Sequence, residues 1–536
     1  MGHNSFGTDQ DALQARRSEW IETFRRRTRI DLRRRWHRSG MPQSAVFEQD
    51  LWGRKHRPDW AARGLLIWPR GRQWLRLEQR LIWPEPWAEA RSSHGRLVMS
   101  WWAECMRLWV DGALVHEGDL FDTACRWRIP ERCQKGDVLH VQLELCSPLH
   151  DDGALISSHL DLEPDQPLVD PDRSLLPESL ALHCAAGGSL PSDWLDVDPM
   201  DPAALHAVAA HLRSVPPVDG VIHWLGHAHL DLAWLWPVAD TWQAAERTFR
   251  SVLALMGRWP ELRFAHSTPA LYAWMERHRP ELFAQIRAAS KLGRWEPING
   301  PWVETDCVLV STASLWQQFA LGQDYSRRTF PEWTHTLAWL PDSFGFGAGL
   351  PAVAAATGVQ WFCTHKLAWN AVNPFPHRLF RWRSRGGGEL RSLMLPPIGR
   401  RGDPLDMLSE HRAWSTSTGL DQALWIPGVG DHGGGPTEEL LEQLAMWEQQ
   451  PLAVSTRSGS VRDYLQGLDA SVDQLPVWRD ELYLELHRGC ATSRPDQKRH
   501  NRVLERLLRE VDTAAALLAL QGRDVAGADW TPLLFQ

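Results

Sequence analysis

Tyrosine is scarce in this sequence, at 4 of 536 residues, and no C-x-x-C pair occurs among its 8 cysteines. The second absence excludes zinc-ribbon and thioredoxin motifs, and the scattered spacing suggests free thiols in a reducing compartment. No run of about 18 or more apolar residues is present, so no membrane-spanning helix is expected. The opening MGHNSFGTDQ holds no apolar segment of the signal-peptide kind, and Phe6 breaks the myristoylation pattern. Strong charge of either sign is missing too. A net charge of -8 gives no global reason to expect nucleic acid as a partner. These absences together predict a cytoplasmic chain that engages neither membrane nor nucleic acid. There is no internal repeat and no extended low-complexity tract.

Tryptophan, by contrast, reaches 32 residues, and hydrophobic residues make up 43%. A chain of this size has apolar area for a large core and for two to four domains. Indole faces pack on the C–H faces of sugar rings, but they also fill ordinary cores, so most of these residues are expected to be structural.

The pattern changes along the chain. Residues 14–38 are rich in arginine, with Trp20, Phe24 and Leu32 near helical spacing, which predicts an amphipathic helix whose Arg stems cover apolar surface. Residues 60–163 alternate in short runs such as WLRLEQRLIW and VLHVQLELC, with an Asp-Gly hairpin signal at Asp111-Gly112. The expectation for 1–163 is a helix followed by an antiparallel β-sandwich. Residues 164–217, rich in Pro, Asp, Ser and Gly, read as a linker with one helix at 201–213.

From 218 to 470 strand, loop and helix alternate, which predicts a parallel β/α domain, distorted and barrel-like, with its ligand site beyond the carboxyl ends of the strands. Residues 471–536 begin with an alternating run at Glu481–Leu486 and continue into a helix from about 496. Its stripe of Val503, Leu504, Leu507, Leu508, Val511, Ala514, Leu517 and Leu518 needs partners, so this part reads as a partial helical bundle. Whether those partners include a second copy, in a homo-oligomer, is left open by the sequence.

Five motifs carry chemistry. GHAHLDLAWLWP at 226–237 puts His227, His229 and Asp231 at a strand end; alternate residues share a side there, so His229 and Asp231 can reach one metal together. Imidazole nitrogen with carboxylate oxygen suits Zn²⁺, although Co²⁺ or another divalent ion is not excluded by such donors. GRWEPINGPWVETD at 293–306 supplies Glu296, Glu304 and Asp306, and WLPDSFGFG at 339–347 supplies Asp342. WIPGVGDHGGGPT at 425–437 centres on Asp431 and His432; it lacks the Gly-Lys-Ser/Thr ending of a phosphate-binding loop. ELYLELHRGCATS at 481–493 carries His487 and Arg488. Two carboxylates beyond the strands of one sheet meet the requirement of glycoside hydrolysis, one to attack or activate water and one to donate a proton.

With KLAWNAVNPFPHRLFRW at 366–382, these motifs follow one another in the order of glycoside hydrolase family 38, the α-mannosidases, which the chain resembles from about 218 onward and more weakly before it. The resemblance implies a zinc ion held by His229, Asp231, Asp306 and His487. It implies Asp306 as the nucleophile of a retaining reaction on mannose-containing oligosaccharides or glycosides, and Asp342 as general acid/base. Trp234 matches an aromatic beneath the bound sugar, and His227, Asp431 and Arg488 are the remaining substrate-binding candidates. The sequence departs from the family at His432, where a further glycine is common, and at Cys490-Ala491, and it does not include the family's C-terminal β domains. The residues alone also admit a zinc amide or ester hydrolase that uses metal-activated water, and a glycan-binding protein without turnover.

Overall fold

The computed structural model describes residues 5–39, 57–83, 93–131, 133, 136–164, 175–198, 201–234, 236–298, 300–430 and 433–534. The chain divides into two compact units. The first holds Met1–Val221, Gly402–His411 and Thr437–Thr456; the second holds Ile222–Arg401, Arg412–Pro436 and Arg457–Gln536.

In the first unit the alternating runs form two five-stranded antiparallel sheets. One is ordered Arg29–Asp31, Gly153–Pro164, Ser93–Trp102, Ala124–Arg128, with Leu66–Trp68 also on Gly153–Pro164; the other is ordered His37–Arg38, Trp74–Ile82, Val138–Cys146, Cys105–Val110, Ala113–Gly118. Side chains of period two drive this. Trp74–Ile82 alternates exposed and buried along its length, and its inward Leu75, Leu77 and Leu81 join Leu97, Met99 and Trp101 of the other sheet in one core. The hairpin turn falls at Asp111 and Gly112, both with positive φ (48° and 79°), as a two-residue turn of this twist demands.

Within 164–217 the expected helix at 201–213 is present as Pro202–Ser214, and Leu176–Ala185 is a further helix. With the first helix, Ser5–Arg25, they bury Trp20, Phe24, Leu180, Leu205, Val208 and Leu212 in a second core. The polar composition hid the apolar stripe of Leu176–Ala185. The arginines near the N-terminus are largely in ion pairs: Arg25 with Glu178, Arg29 with Asp161 at 2.8 Å, and Arg33 with Asp31.

In the second unit the expected alternation appears, but its strands divide among three sheets instead of one ring. Gly226–His227, Phe264–His266 and Trp295–Pro297 form one parallel sheet. Leu337–Trp339, Trp361–Thr364 and Glu389–Met394 run parallel in another, continued by antiparallel Leu379–Arg383 and by Val477–Trp478. Gln422–Trp425 lies beside Val221–Trp224 in the third. The split has a local cause. Leu225 N–H donates to Trp425 O, whereas Gly226 N–H donates to Arg263 O, so the chain leaves one sheet and enters the next within two residues. Helices Val238–Arg258, Pro269–His278, Pro280–Lys291 and Thr312–Thr329 follow their strands.

Glu481–Leu486 is not a regular strand; its backbone makes only a bridge between Leu482 and Phe346 among the described residues. Pro495–Leu520 is a helix of 26 residues. No helix among the described residues is long and apolar enough to cross a membrane, and all eight cysteines are free thiols.

One buried carboxyl in this unit has a measurable consequence. Glu296 accepts the N–H groups of Val461 (2.6 Å) and Arg462 (3.0 Å), the first turn of helix Val461–Leu468. Burial pushes its pKa up to about 7, against those two hydrogen bonds, which lower it. The native state therefore keeps a proton that the unfolded chain releases above its ordinary value. The stabilisation is complete below the unfolded pKa and is lost as pH rises through about 7. Glu296→Ala is expected to leave two helix N–H groups unpaired at a cost of roughly 1–3 kcal/mol each. It should also flatten the fall in stability between pH 5 and 8, both readable in denaturant titrations.

Candidate metal and substrate site

The site is built at the carboxyl ends of strands in the second unit. His229 and Asp231 follow Gly226–His227, Glu304 and Asp306 follow Trp295–Pro297, and Asp342 follows Leu337–Trp339. All of these except the buried His229 line a cavity of about 820 Å³ whose walls include Asp231, Trp234, Glu304, Asp306, Asp342, Phe344, Tyr483, His487 and Arg488.

His229, Asp231 and Asp342 form the one group among the described residues whose donor atoms could hold a metal ion, each offering an atom within 4.8 Å of the others. His229 is buried, its Nε2 lies 3.0 Å from Asp231 Oδ1, and its Nδ1 lies 3.7 Å from Glu304 Oε2. Burial alone would lower the imidazole pKa. The hydrogen bond to Asp231 and the charges of Glu304, Asp231 and Asp342 outweigh it and push the value up to about 10. Three carboxyl groups around one buried imidazole thus call for positive charge at this point. One imidazole and two carboxylates are also donors that fit a divalent zinc-like ion.

Asp306 and His487, the other two predicted ligands, line the same cavity but stand outside that group. The reasons are local. Asp306 Oδ1 accepts N–H groups from Val308 and Leu309, both at 2.8 Å, which turns the carboxylate into its own loop. His487 adopts left-handed backbone (φ 59°), with its ring 4.7 Å from Phe344 and 5.8 Å from Trp369.

Asp342, the general acid/base that the resemblance implies, has a charged partner. Its carboxylate pairs with Lys366, a lysine only 3% exposed whose Nζ lies 3.5 Å from the Trp369 ring centre. Burial raises the Asp342 pKa, while His229 and Lys366 pull it down; the net shift is upward. Glu304 accepts the backbone N–H of Asp342, and burial pushes its pKa up to about 7, opposed by His229. Sequence reasoning names Glu304 in its motif without a role, and Lys366, which opens the KLAWNAVNPFPHRLFRW motif, is not singled out by it. A buried lysine leaves no mark in sequence.

The remaining candidates separate. Trp234 is 58% exposed on the cavity wall, where a ring can stack on it. Arg488 lines the wall with its guanidinium 5.9 Å from the Tyr483 ring centre. His227 is not a cavity residue: it is buried, and its Nε2 accepts a hydrogen bond from Trp339 Nε1 at 3.1 Å. It props the metal-group segment instead of facing ligand. Asp431 and His432 lie outside the described residues.

Their flanking glycines have a structural reason. A Cβ on Gly428 would lie 2.1 Å from the His227 carbonyl oxygen, and Gly433 N–H donates to His229 O at 3.1 Å. The loop packs against the backbone that carries His229, which only glycine permits. Gly428→Ala is expected to cost roughly 1–3 kcal/mol through this clash and to weaken metal binding, by thermal melting and metal titration respectively.

Residues 219–481 match the family model described as Glycosyl hydrolases family 38 N-terminal domain. This segment is similar to glycoside hydrolase family 38. The matched segment contains every described candidate residue except His487 and Arg488. The chain is 34% identical over 299 residues to Alpha-mannosidase 2C1 of Homo sapiens, covering 55% of this chain and 29% of that protein. It is 32% identical over 312 residues to Alpha-mannosidase of Saccharomyces cerevisiae, covering 55% and 28%. The chain therefore spans under a third of the length of these relatives. A crystal structure of an alpha-mannosidase from Enterococcus faecalis V583 is similar over 49% of this chain and 31% of that one, with a TM-score of 0.43 and 16% identity.

Proposed function

We propose that this chain is a retaining α-mannosidase that acts on terminal α-mannosides with a divalent cation, zinc by its donor set, and with Asp306 as nucleophile. The observation that carries the reading is the buried His229 among Asp231, Asp342 and Glu304, three carboxyl residues that line a cavity also presenting Asp306 and Trp234. The family 38 match and the named α-mannosidase relatives support the substrate class.

The proposed ligands are His229, Asp231, Asp306 and His487. When bound, the cation supplies positive charge and Lewis acidity toward sugar hydroxyl oxygens. The protein's own residues do the rest. Trp234 offers an exposed ring for the sugar to stack on. The Val308 and Leu309 N–H groups orient Asp306, so that a carboxylate oxygen attacks the anomeric carbon while the bond to the leaving oxygen breaks. That oxygen takes a proton from a carboxyl group. Water then attacks the same carbon, giving its proton back to that group, and the ester to Asp306 breaks with net retention.

Asp342 is the proposed proton donor. Glu304 is the second candidate, because burial leaves it near the pKa at which a carboxyl group both gives and takes a proton at neutral pH. Asp342→Asn and Glu304→Gln are expected to separate them. The true donor's loss costs about 10²–10⁴-fold on a methyl mannoside, and far less on a dinitrophenyl mannoside, whose leaving group needs no proton. A metal content that falls with Asp342→Asn would instead make Asp342 a ligand.

The reaction itself is tested by following 4-nitrophenyl α-mannoside by NMR. α-Mannose is expected as the first product; β-mannose would overturn the nucleophile assignment. A protein that binds mannosides and releases no nitrophenol would favour the glycan-binding reading. Activity on amide or ester substrates alone would favour the zinc hydrolase reading.

A further inference from the structure

Asp342 stands where two roles compete. One of its oxygens lies within 4.8 Å of donor atoms on His229 and Asp231, close enough for the three residues to share one ion. The proposed reaction needs its carboxyl group elsewhere, giving and taking a proton. Carboxylate oxygens are ordinary zinc donors, so nothing intrinsic keeps this one off the metal. The restraint has to come from a neighbour.

Lys366 is placed to supply it. Strands Leu337–Trp339 and Trp361–Thr364 are adjacent and parallel, so their carboxyl ends lie side by side. Asp342 follows the first, and Lys366 follows the second at the head of the short 3₁₀ helix Lys366–Trp369. The buried ammonium donates to Asp342 Oδ1, its one ion pair among the described residues. The other groups against it are rings, with the Trp369 centre at 3.5 Å and the Phe344 centre at 5.0 Å. Rings attract a cation through their faces but carry no negative charge. The ammonium therefore depends on Asp342 for its counter-charge, because a buried charge without a partner is costly. Drawing the Asp342 carboxylate onto a dication would leave the lysine without that partner and facing a second positive charge.

We propose that Lys366 is the positioning residue that keeps Asp342 out of the metal's ligand set and so reserves its carboxyl group for proton transfer. An ammonium donates to one carboxyl oxygen whether or not the other carries a proton, so the pairing can hold through both steps of the reaction. This role presupposes the zinc-mannosidase reading of the cavity, and adds to it the residue that decides which carboxyl group is ligand and which is acid.

Zinc titration and crystallography of the full chain test it, with Lys366→Met, Asp342→Asn and the double variant. Lys366→Met is expected to bind zinc about tenfold more tightly, the reverse of the loss of about 10–100-fold that follows removal of a residue orienting a ligand. Most of that gain is expected to disappear in the Asp342→Asn background, where only the lost positive charge still favours the cation. In zinc-loaded crystals of Lys366→Met an Asp342 oxygen is expected at about 2.0–2.2 Å from the metal, and in the wild type none. Turnover of methyl α-mannoside should fall in Lys366→Met while zinc affinity rises, an opposition that lost packing alone does not produce. Lys366→Arg, which keeps the charge, should match the wild type toward zinc, and Lys366→Gln replaces the methionine variant should that one not fold. Weaker zinc binding by Lys366→Met would make Lys366 an orienter of a ligand and overturns the proposal. So does a gain equally large with Asp342→Asn, the mark of charge alone, and so does an Asp342 oxygen already on zinc in the wild type. A wild type that takes up no zinc at His229 overturns the underlying zinc reading, and this role with it.

Discussion

Asp306→Ala is expected to lower turnover of 4-nitrophenyl α-mannoside by at least about 10⁴-fold, the scale seen when a nucleophile is removed from an otherwise intact site. The fold should survive, because the side chain is exposed to the cavity and its protein partners are two N–H groups of its own loop. A melting temperature close to wild type would establish that the loss is chemical. The trapped intermediate gives the complementary result. A 2-fluoromannosyl fluoride should label the wild type once, on a peptide containing Asp306, and should not label the alanine variant. Full activity of Asp306→Ala, or label on Glu304 or Asp342, would move the nucleophile elsewhere in the cavity.

Removal of the cation is expected to be as severe. His229 is the buried nitrogen among the carboxyl groups, so His229→Ala removes the donor around which Asp231, Glu304 and Asp342 are arranged. Chelation and His229→Ala should each abolish turnover, and zinc should restore the chelated wild type only. Binding also stabilises: at a free ion concentration about 1,000 times Kd, the native state gains about 4.1 kcal/mol. The wild-type melting temperature should therefore rise on adding zinc while that of His229→Ala does not. In the ion-free protein the three carboxyl groups that surround the imidazole hold it protonated to about pH 10. Zinc uptake should accordingly release protons at neutral pH, measurable as buffer-dependent heat in calorimetry.

How far the sequence discloses this site differs between its parts. Backbone periodicity was legible: alternate residues in Trp74–Ile82 and the Asp111-Gly112 turn specify antiparallel pairs. The H-x-H-x-D segment was legible because alternation carries His229 and Asp231 to one side, and the two side chains meet at 3.0 Å. Its first histidine was misread for the same reason. Alternation also points His227 that way, but a tryptophan 112 residues later takes its acceptor nitrogen. The pairing of Asp342 with Lys366 depends on two different loops and on burial, neither of which is written in local pattern. In the polar stretch 164–217 the helix Pro202–Ser214 was legible but Leu176–Ala185 was not, because composition averages over faces, whereas packing in the first unit depends on the few apolar residues that share a side.

The central claim is a divalent cation at His229 in a cavity that cleaves mannosides. Anomalous scattering at the zinc edge from crystals of the active, zinc-loaded chain measures it directly. A single strong peak about 2.0–2.2 Å from His229 nitrogen and an Asp231 oxygen is the expected result. An active crystal with no peak in this cavity, or with its zinc bound elsewhere on the chain, would contradict it.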